Sequence, residues 1–312
     1  MRVPSIFGVF FLLLIALASG ETSLAMTMNV ISPVTDAYSK LHIGLEGEIA
    51  PGDDAHLQKL LRNRNANGVH IDLDSTGGDF RTAIAIGRLL RRAEASVSTG
   101  NCLSVCVFVF AGAVDRIVFL NSSGVSLGVH RLYFSDVKAT TSQAAIAQAR
   151  AKLKADAAAY LQEMNVSTRL LDLMEGTPPE EMRGLAELEI KEMGLDSPDP
   201  VWDERQVAIK SAERGVVSRE YRRRRALTTS ACEAYRVFSP QHTSCVEAVL
   251  WNLQIDEYKA RRVRYLSWFK AARETNENVS ITPAMRVAGD ACERAIFISG
   301  AGSCPAYRPP SR

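Results

Sequence analysis

The stretch 71-IDLDSTGGDFRTAIAIGRLL-90 decides the fold class. Its first residues alternate, Ile71 and Leu73 apolar against Asp72 and Asp74 polar, which is the period of a half-buried strand. Gly77-Gly78 stops that strand, because paired glycines open backbone angles that other residues avoid. From Phe80 the period changes. Phe80, Ala83, Ile84, Leu89 and Leu90 favour one side of an amphipathic helix. A strand that turns through Gly-Gly into such a helix is the start of a βαβ unit.

The flanking sequence repeats the theme. Leu41 to Leu45 alternates as a strand, Gly52-Asp53-Asp54 turns, and a helix over 54–64 takes Asp53 or Asp54 as its N-cap. Val69 to Leu73 is the next strand, and "ASVST" (95–99), "RIVFL" (116–120) and "GVSLGVH" (124–130) supply three more strand-like runs. This order and spacing predict an α/β fold with a parallel sheet. An Ala- and Gln-rich helix is expected over 141–164, then helical segments through Met174 and, beyond Pro178-Pro179, over 180–193. "GLDSPDPVWDER" (194–205) reads as a turn-rich exit. Residues 201–228 read as a basic linker or a solvated helix face, and 229–312 as a helical region with four cysteines.

With 312 residues and a formal net charge of +2, the chain offers no bulk-charge argument for nucleic acid. Arg222 to Arg225 is a run of four arginines, and a solvated charge run is its ordinary explanation. Residues 1–25 have the layout of a secretory signal: Arg2, an apolar run from Ile6 to Leu17, then small residues, with cleavage after Gly20 or Ala25. That run falls short of the about 20 residues a spanning helix needs. Export to a periplasm is therefore the expectation, with an N-terminal inner-membrane anchor as the alternative. Six cysteines, Cys102, Cys106, Cys232, Cys245, Cys292 and Cys304, suit an oxidising compartment. The last four allow three pairings, of which Cys232–Cys245 and Cys292–Cys304 are the local ones. No CxxC occurs and only His242 lies near them, so no metal site is expected there.

Three short segments carry chemistry: "DSTGGD" (74–79), "CLSVC" (102–106) and "GVHR" (128–131). Each ends or follows an expected strand, where ligands collect in open α/β sheets. Separately each has a plain explanation. The glycines can be a turn, Ser104 an N-cap, and His130 a satisfied strand-end residue. Jointly they fit nucleophilic catalysis, in which a serine needs a neighbouring base and two backbone N–H groups for the oxyanion. Cys102 and Cys106 have three readings: a disulfide bracing the serine's turn, two buried thiols, or a reactive thiolate or metal ligand. Within a regular helix the i,i+4 spacing is too wide for a disulfide; with Cys102 ahead of the helix the bond becomes feasible.

Four segments in order, "LEGEIAPGDD" (45–54), 71–90, "CLSVCVFVFAGAVDR" (102–116) and "GVSLGVHR" (124–131), resemble the catalytic core of the Clp protease proteolytic subunit. They are more similar still to exported Clp-like proteins of the Clp/crotonase superfamily. The resemblance spans about residues 40–195 and implies a Clp/crotonase-like ββα spiral over 38–200 with flanking helices. Ser104 falls at the family's nucleophile, His130 at its general base, and Gly78 and Val105 at its oxyanion-hole amides, with Gly77 shaping the turn. The family's third member is an aspartate from a helical region after the histidine, for which Asp172 is best placed. Asp136 is too close to His130, and Asp196 matches a strand entry. Two positions depart from the family: Thr76 stands where proline is usual, and Val105 replaces a smaller residue.

The resemblance implies an exported, ATP-independent serine peptidase acting on peptides or unfolded segments, with no cofactor. No P-loop is present in the sequence and exported compartments lack ATP, so no ATPase partner is expected. Self-association is expected through the helix at 141–164. The alternative is a catalytically inactive relative that keeps the groove as a peptide-binding module.

Overall fold

The computed structural model describes residues 26–32, 40–62, 68–119, 124–133, 142–237, 239–275 and 283–309; the expected signal segment and Asp136 lie outside them. The strands are β1 (Thr27–Ser32), β2 (Leu41–Glu46), β3 (Val69–Ser75), β4 (Ser96–Leu103), β5 (Asp115–Val118), β6 (Leu127–Val129) and β7 (Arg183–Gly184). They form one seven-stranded sheet in the order β1-β2-β3-β4-β6-β7, with β5 also on β4. The β2, β3, β4, β5 and β6 pairings are parallel, and β1 and β7 are antiparallel to their neighbours.

β4 serves two partners, and this positions the site. Its first half pairs with β5 from Ser96↔Asp115 to Thr99↔Val118, and its last two residues pair with β6, Cys102↔Leu127 and Leu103↔Gly128. The switch coincides with a register shift against β3, from Leu73↔Thr99 to Asp74↔Asn101, that leaves Gly100 over. A bulge of this kind bends a strand and re-aims the residues beyond it. The first residue past the end of β4 is Ser104.

Between the strands run α1 (Asp53–Arg62), α2 (Phe80–Arg92) and α3 (Cys106–Ala111). Asp79 caps α2, its carboxylate accepting from the Thr82 amide at 2.8 Å and the Thr82 hydroxyl at 2.7 Å. Every residue of α3 is buried. The apolar faces of these elements join α4 (Gln143–Glu163), α5 (Arg169–Glu175) and α6 (Glu187–Glu192) in one hydrophobic cluster that includes Ile43, Leu45, Ile71, Phe108, Leu127 and Tyr160. Tyr160 donates from its hydroxyl to the Phe108 carbonyl at 2.7 Å, tying α4 to α3, and its burial pushes the phenol's pKa up. Arg116 is also buried; desolvation, with Arg91 adding to it, lowers its guanidinium to about 10. It donates to the Ala111, Met164 and Ser197 carbonyls, which no apolar side chain could satisfy.

Beyond residue 200 the chain is helical: α7 (Pro200–Glu213), α8 (Ser218–Ala231), α9 (Pro240–Trp251), α10 (Ile255–Glu274) and α11 (Pro283–Phe297). Its buried apolar residues fall into three small clusters, the largest around Trp251, Tyr258, Tyr265 and Phe297. Disulfides link Cys232 to Cys245 and Cys292 to Cys304, fastening α8 to α9 and α11 to the C-terminal tail. Thin cores of this size gain from such staples. Arg214 adds a further tie, lying 4.8 Å from the Trp251 ring centre and 5.5 Å from that of Tyr221 while pairing with Glu247 at 2.9 Å.

The segment read as a linker or solvated helix face is helical over 201–213 and 218–228, and its four consecutive arginines are spent internally. Arg222 pairs with Glu204 and Arg225 with Asp203, which bridges α8 to α7, while Arg223 and Arg224 share Glu220. The expected helix over 180–193 also differs: Arg183-Gly184 forms β7 against Gly128 and Val129, and only 187–192 are helical. Pro178-Pro179 and Gly184 interrupt helical geometry, and the free edge of β6 offers hydrogen bonds instead. β1 is a strand that the sequence pattern does not announce. Among the described residues no helix is long and apolar enough to cross a membrane.

Candidate active site

At the carboxyl end of β3 the chain runs through Gly77 and Gly78, both at positive φ, +109° and +136°. The Ile49 amide donates to the Gly77 carbonyl at 2.7 Å, and the Asp79 amide donates to the Ile49 carbonyl at 2.8 Å. This is a one-residue parallel bridge between Ile49 and Gly78. In such a bridge the N–H of the central residue points away from its partner, so the Gly78 amide faces away from Ile49. Both glycines are required sterically. A Cβ on Gly78 would lie 2.2 Å from the Ile49 carbonyl oxygen, and one on Gly77 would lie 2.7 Å from the Ser104 Cβ. The latter distance shows how closely the glycine turn abuts Ser104.

Ser104 occupies the sharp turn between β4 and α3 at φ +56°, a left-handed angle uncommon for a residue with a side chain. Its amide donates to the Gly128 carbonyl at 2.8 Å, which seats the turn on β6. Cys102, at the end of β4, is bonded to Cys106, the first residue of α3, with Cα atoms 5.3 Å apart. The disulfide therefore spans the turn that carries Ser104, and Cys102 lies ahead of the helix. Strained backbone of this type persists only where its surroundings over-determine it. Here the disulfide, the Gly128 bond and the Gly77 contact do so together. Among the described residues no backbone carbonyl accepts from the amides of Gly78 or Val105.

His130 follows β6 directly, two residues beyond the carbonyl that holds Ser104. Its Nδ1 lies 3.0 Å from the Arg131 carbonyl. A carbonyl only accepts, so that contact assigns the proton to Nδ1 and leaves Nε2 as the ring's acceptor. The Arg131 amide in turn donates to the Thr177 carbonyl at 2.8 Å, fixing the strand exit against the end of α5. Tyr133 lies beside His130 with ring centres 5.7 Å apart.

These parts line one groove of about 910 Å³: Gly77, Gly78, Ser104, Val105 and His130 on its floor. Ser104 and His130 are each 8% exposed, buried but bordering open space. Ala145, Ile146, Ala149 and Leu153 of α4 also line the groove. The sequence does not single out these four, because α4 has no clear apolar face and only Ala157, Tyr160 and Leu161 are buried. Asp172 is exposed on α5, whose buried residues are Leu170, Leu171 and Met174, and it is not among the groove's lining residues. Asp196 lies elsewhere, accepting from the Val118 amide at 3.3 Å.

Neither a protein-family model nor a curated protein matches this sequence. Among solved structures, a mutant of the 1510-N membrane-bound stomatin-specific protease is similar to this chain with a TM-score of 0.38 and 11% identity, over 52% of this chain and 78% of that one.

Proposed function

We propose that this chain is an exported serine hydrolase of Clp-like fold, a peptidase acting on peptides or unfolded segments through Ser104 and His130. The observation that carries the reading is the Ser104 turn itself: a left-handed, disulfide-spanned serine in one groove with a histidine and two backbone amides that no described carbonyl accepts from. His130 Nε2 takes the proton from Ser104 Oγ as that oxygen attacks the scissile carbonyl, then returns it to the leaving amine. The Gly78 and Val105 amides receive the oxyanion. The Arg131 carbonyl holds the imidazole in the required tautomer, the task an acid performs in a full triad. The three disulfides fit the exported address.

A fluorophosphonate probe is expected to label the wild-type chain and not Ser104→Ala or His130→Ala, while Asp172→Asn keeps most of the labelling. Labelling that survives Ser104→Ala, or none of the wild type, refutes the assignment. One observation favours a second reading, a groove that binds peptides without cleaving them: among the described residues no carboxylate is hydrogen-bonded to His130, whose Nδ1 faces the Arg131 carbonyl. That reading predicts peptide affinity unaffected by Ser104→Ala and no turnover.

A further inference from the structure

The parallel register of β2, β3 and β4 sets a polar cluster on the sheet face opposite Ile43 and Ile71. His42 stands beside His70, and His70 beside Ser96; in the next row Asp72 stands beside Ser98. We propose that His42, His70 and Asp72 form a binding site for a divalent transition-metal cation of the zinc class. The site is separate from the groove and shares no lining residue with it.

The donor set is two imidazoles and one carboxylate, a combination that suits zinc and its neighbours and not calcium or magnesium. One ligand atom from each residue lies within 4.8 Å of the others. A tetrahedral ion with bonds of about 2.1 Å needs its ligands about 3.4 Å apart, a closure of at most about 1.4 Å. His42 Nε2 is already 2.7 Å from Asp72 Oδ2, and His70 Nε2 is 3.2 Å from Asp72 Oδ1. His42 and Asp72 are partly exposed, with side-chain exposures of 30% and 49%, so they can rotate inward and a cation can enter.

The supporting contacts are what such a site requires. His70 Nδ1 lies 2.8 Å from Ser96 Oγ, so its other nitrogen, Nε2, is the one turned toward Asp72. The Ser98 hydroxyl donates to Asp72 Oδ1 at 2.6 Å. Ligating histidines and carboxylates are oriented in this way by a second layer of hydrogen bonds. The nearby charges are Lys40 and Asp115, opposite in sign, and each interacts with His70. A bound cation would add a tie between the parallel strands β2 and β3, beside their main-chain bonds and the His42–Asp72 contact.

The test uses the tag-free full chain, stripped with chelator and kept without reductant. Calorimetry with zinc is expected to give one equivalent bound, and cobalt(II) to give visible absorption bands of nitrogen–oxygen ligation. His42→Gln, an exposed and conservative change, should abolish both, and Asp72→Asn should do the same. Ser96→Ala should weaken binding by about 10- to 100-fold through the orientation of His70. His242→Ala should leave binding unchanged, and circular dichroism of each variant checks folding. No stoichiometric binding by the wild type overturns the proposal, as does binding that survives His42→Gln in a folded variant or is lost in His242→Ala.

Discussion

Gly78→Ala tests the construction of the groove most directly. The substitution meets two penalties that can be separated. One is the backbone angle: φ of +136° is a region nearly closed to residues with a Cβ, at about 1–3 kcal/mol. The other is collision. The new Cβ would lie 2.2 Å from the Ile49 carbonyl oxygen, 2.8 Å from its nitrogen and 2.9 Å from its carbonyl carbon, all backbone atoms that no rotamer can move. Relief requires the Ile49 segment to withdraw, which breaks the Ile49–Gly77 and Asp79–Ile49 hydrogen bonds, each about 0.5–1.5 kcal/mol. The sum is about 2–6 kcal/mol. Gly52→Ala is the matched control, since its φ is +102° but nothing lies within 4 Å of the added carbon. It should cost only the angular term, about 1–3 kcal/mol. Urea midpoints of wild type and both variants, with disulfides intact, measure the difference. Folded Gly78→Ala should also lose about 10²–10³ in probe labelling rate, the usual effect of displacing one oxyanion donor. If Gly78→Ala proves no less stable than Gly52→Ala, or labels at the wild-type rate, the close approach of Ile49 to the glycine turn is refuted.

Replacing Cys102 and Cys106 together by alanine removes a bond closing a separation of four residues, an entropic loss of about 2 kcal/mol. Urea midpoints and labelling rates should both fall; a variant equal to wild type in both would show that the disulfide does not hold the Ser104 turn. Asp199 caps α7 and pairs with Arg91 at 2.8 Å with its side chain 2% exposed. Burial opposes its ionisation, but hydrogen bonds from Asn165 and the Trp202 amide, with Arg91, outweigh that and hold its carboxyl below the usual range. A depressed carboxylate pKa stabilises the fold above its unfolded value, about 4, and that contribution disappears as pH falls through the folded value. Asp199→Asn should therefore cost about 3 kcal/mol at neutral pH and flatten the wild type's loss of stability on acidification. Midpoints that decline in parallel for both proteins would contradict this.

Local pattern was enough for much of the sheet. Alternation in 41–45 and 69–73 marks β2 and β3, and the change of period at Phe80 marks α2, because burial on one face leaves its period in the sequence. Where hydrogen bonding to a distant edge decided the outcome, pattern failed. β1 is a strand because β2 offers it an edge, and Arg183-Gly184 leaves a helical context because β6 does the same. The Asp199-Pro200 pair is a readable helix start, an N-cap followed by proline, but the turn residues around it mask the signal.

The site divides along the same line. Sequence by itself determined the residue types and their order: a glycine pair, a serine between two cysteines and a histidine, each at the end of a strand. The left-handed turn at Ser104, the bridge from Ile49 to Gly78, the seat on Gly128 and the α4 wall were decided by tertiary structure alone. The same holds for the position of Asp172 outside the groove and of His42 beside His70. These depend on strand register and on the switch of β4 from β5 to β6. Contacts between residues far apart in the chain leave no periodic trace along it.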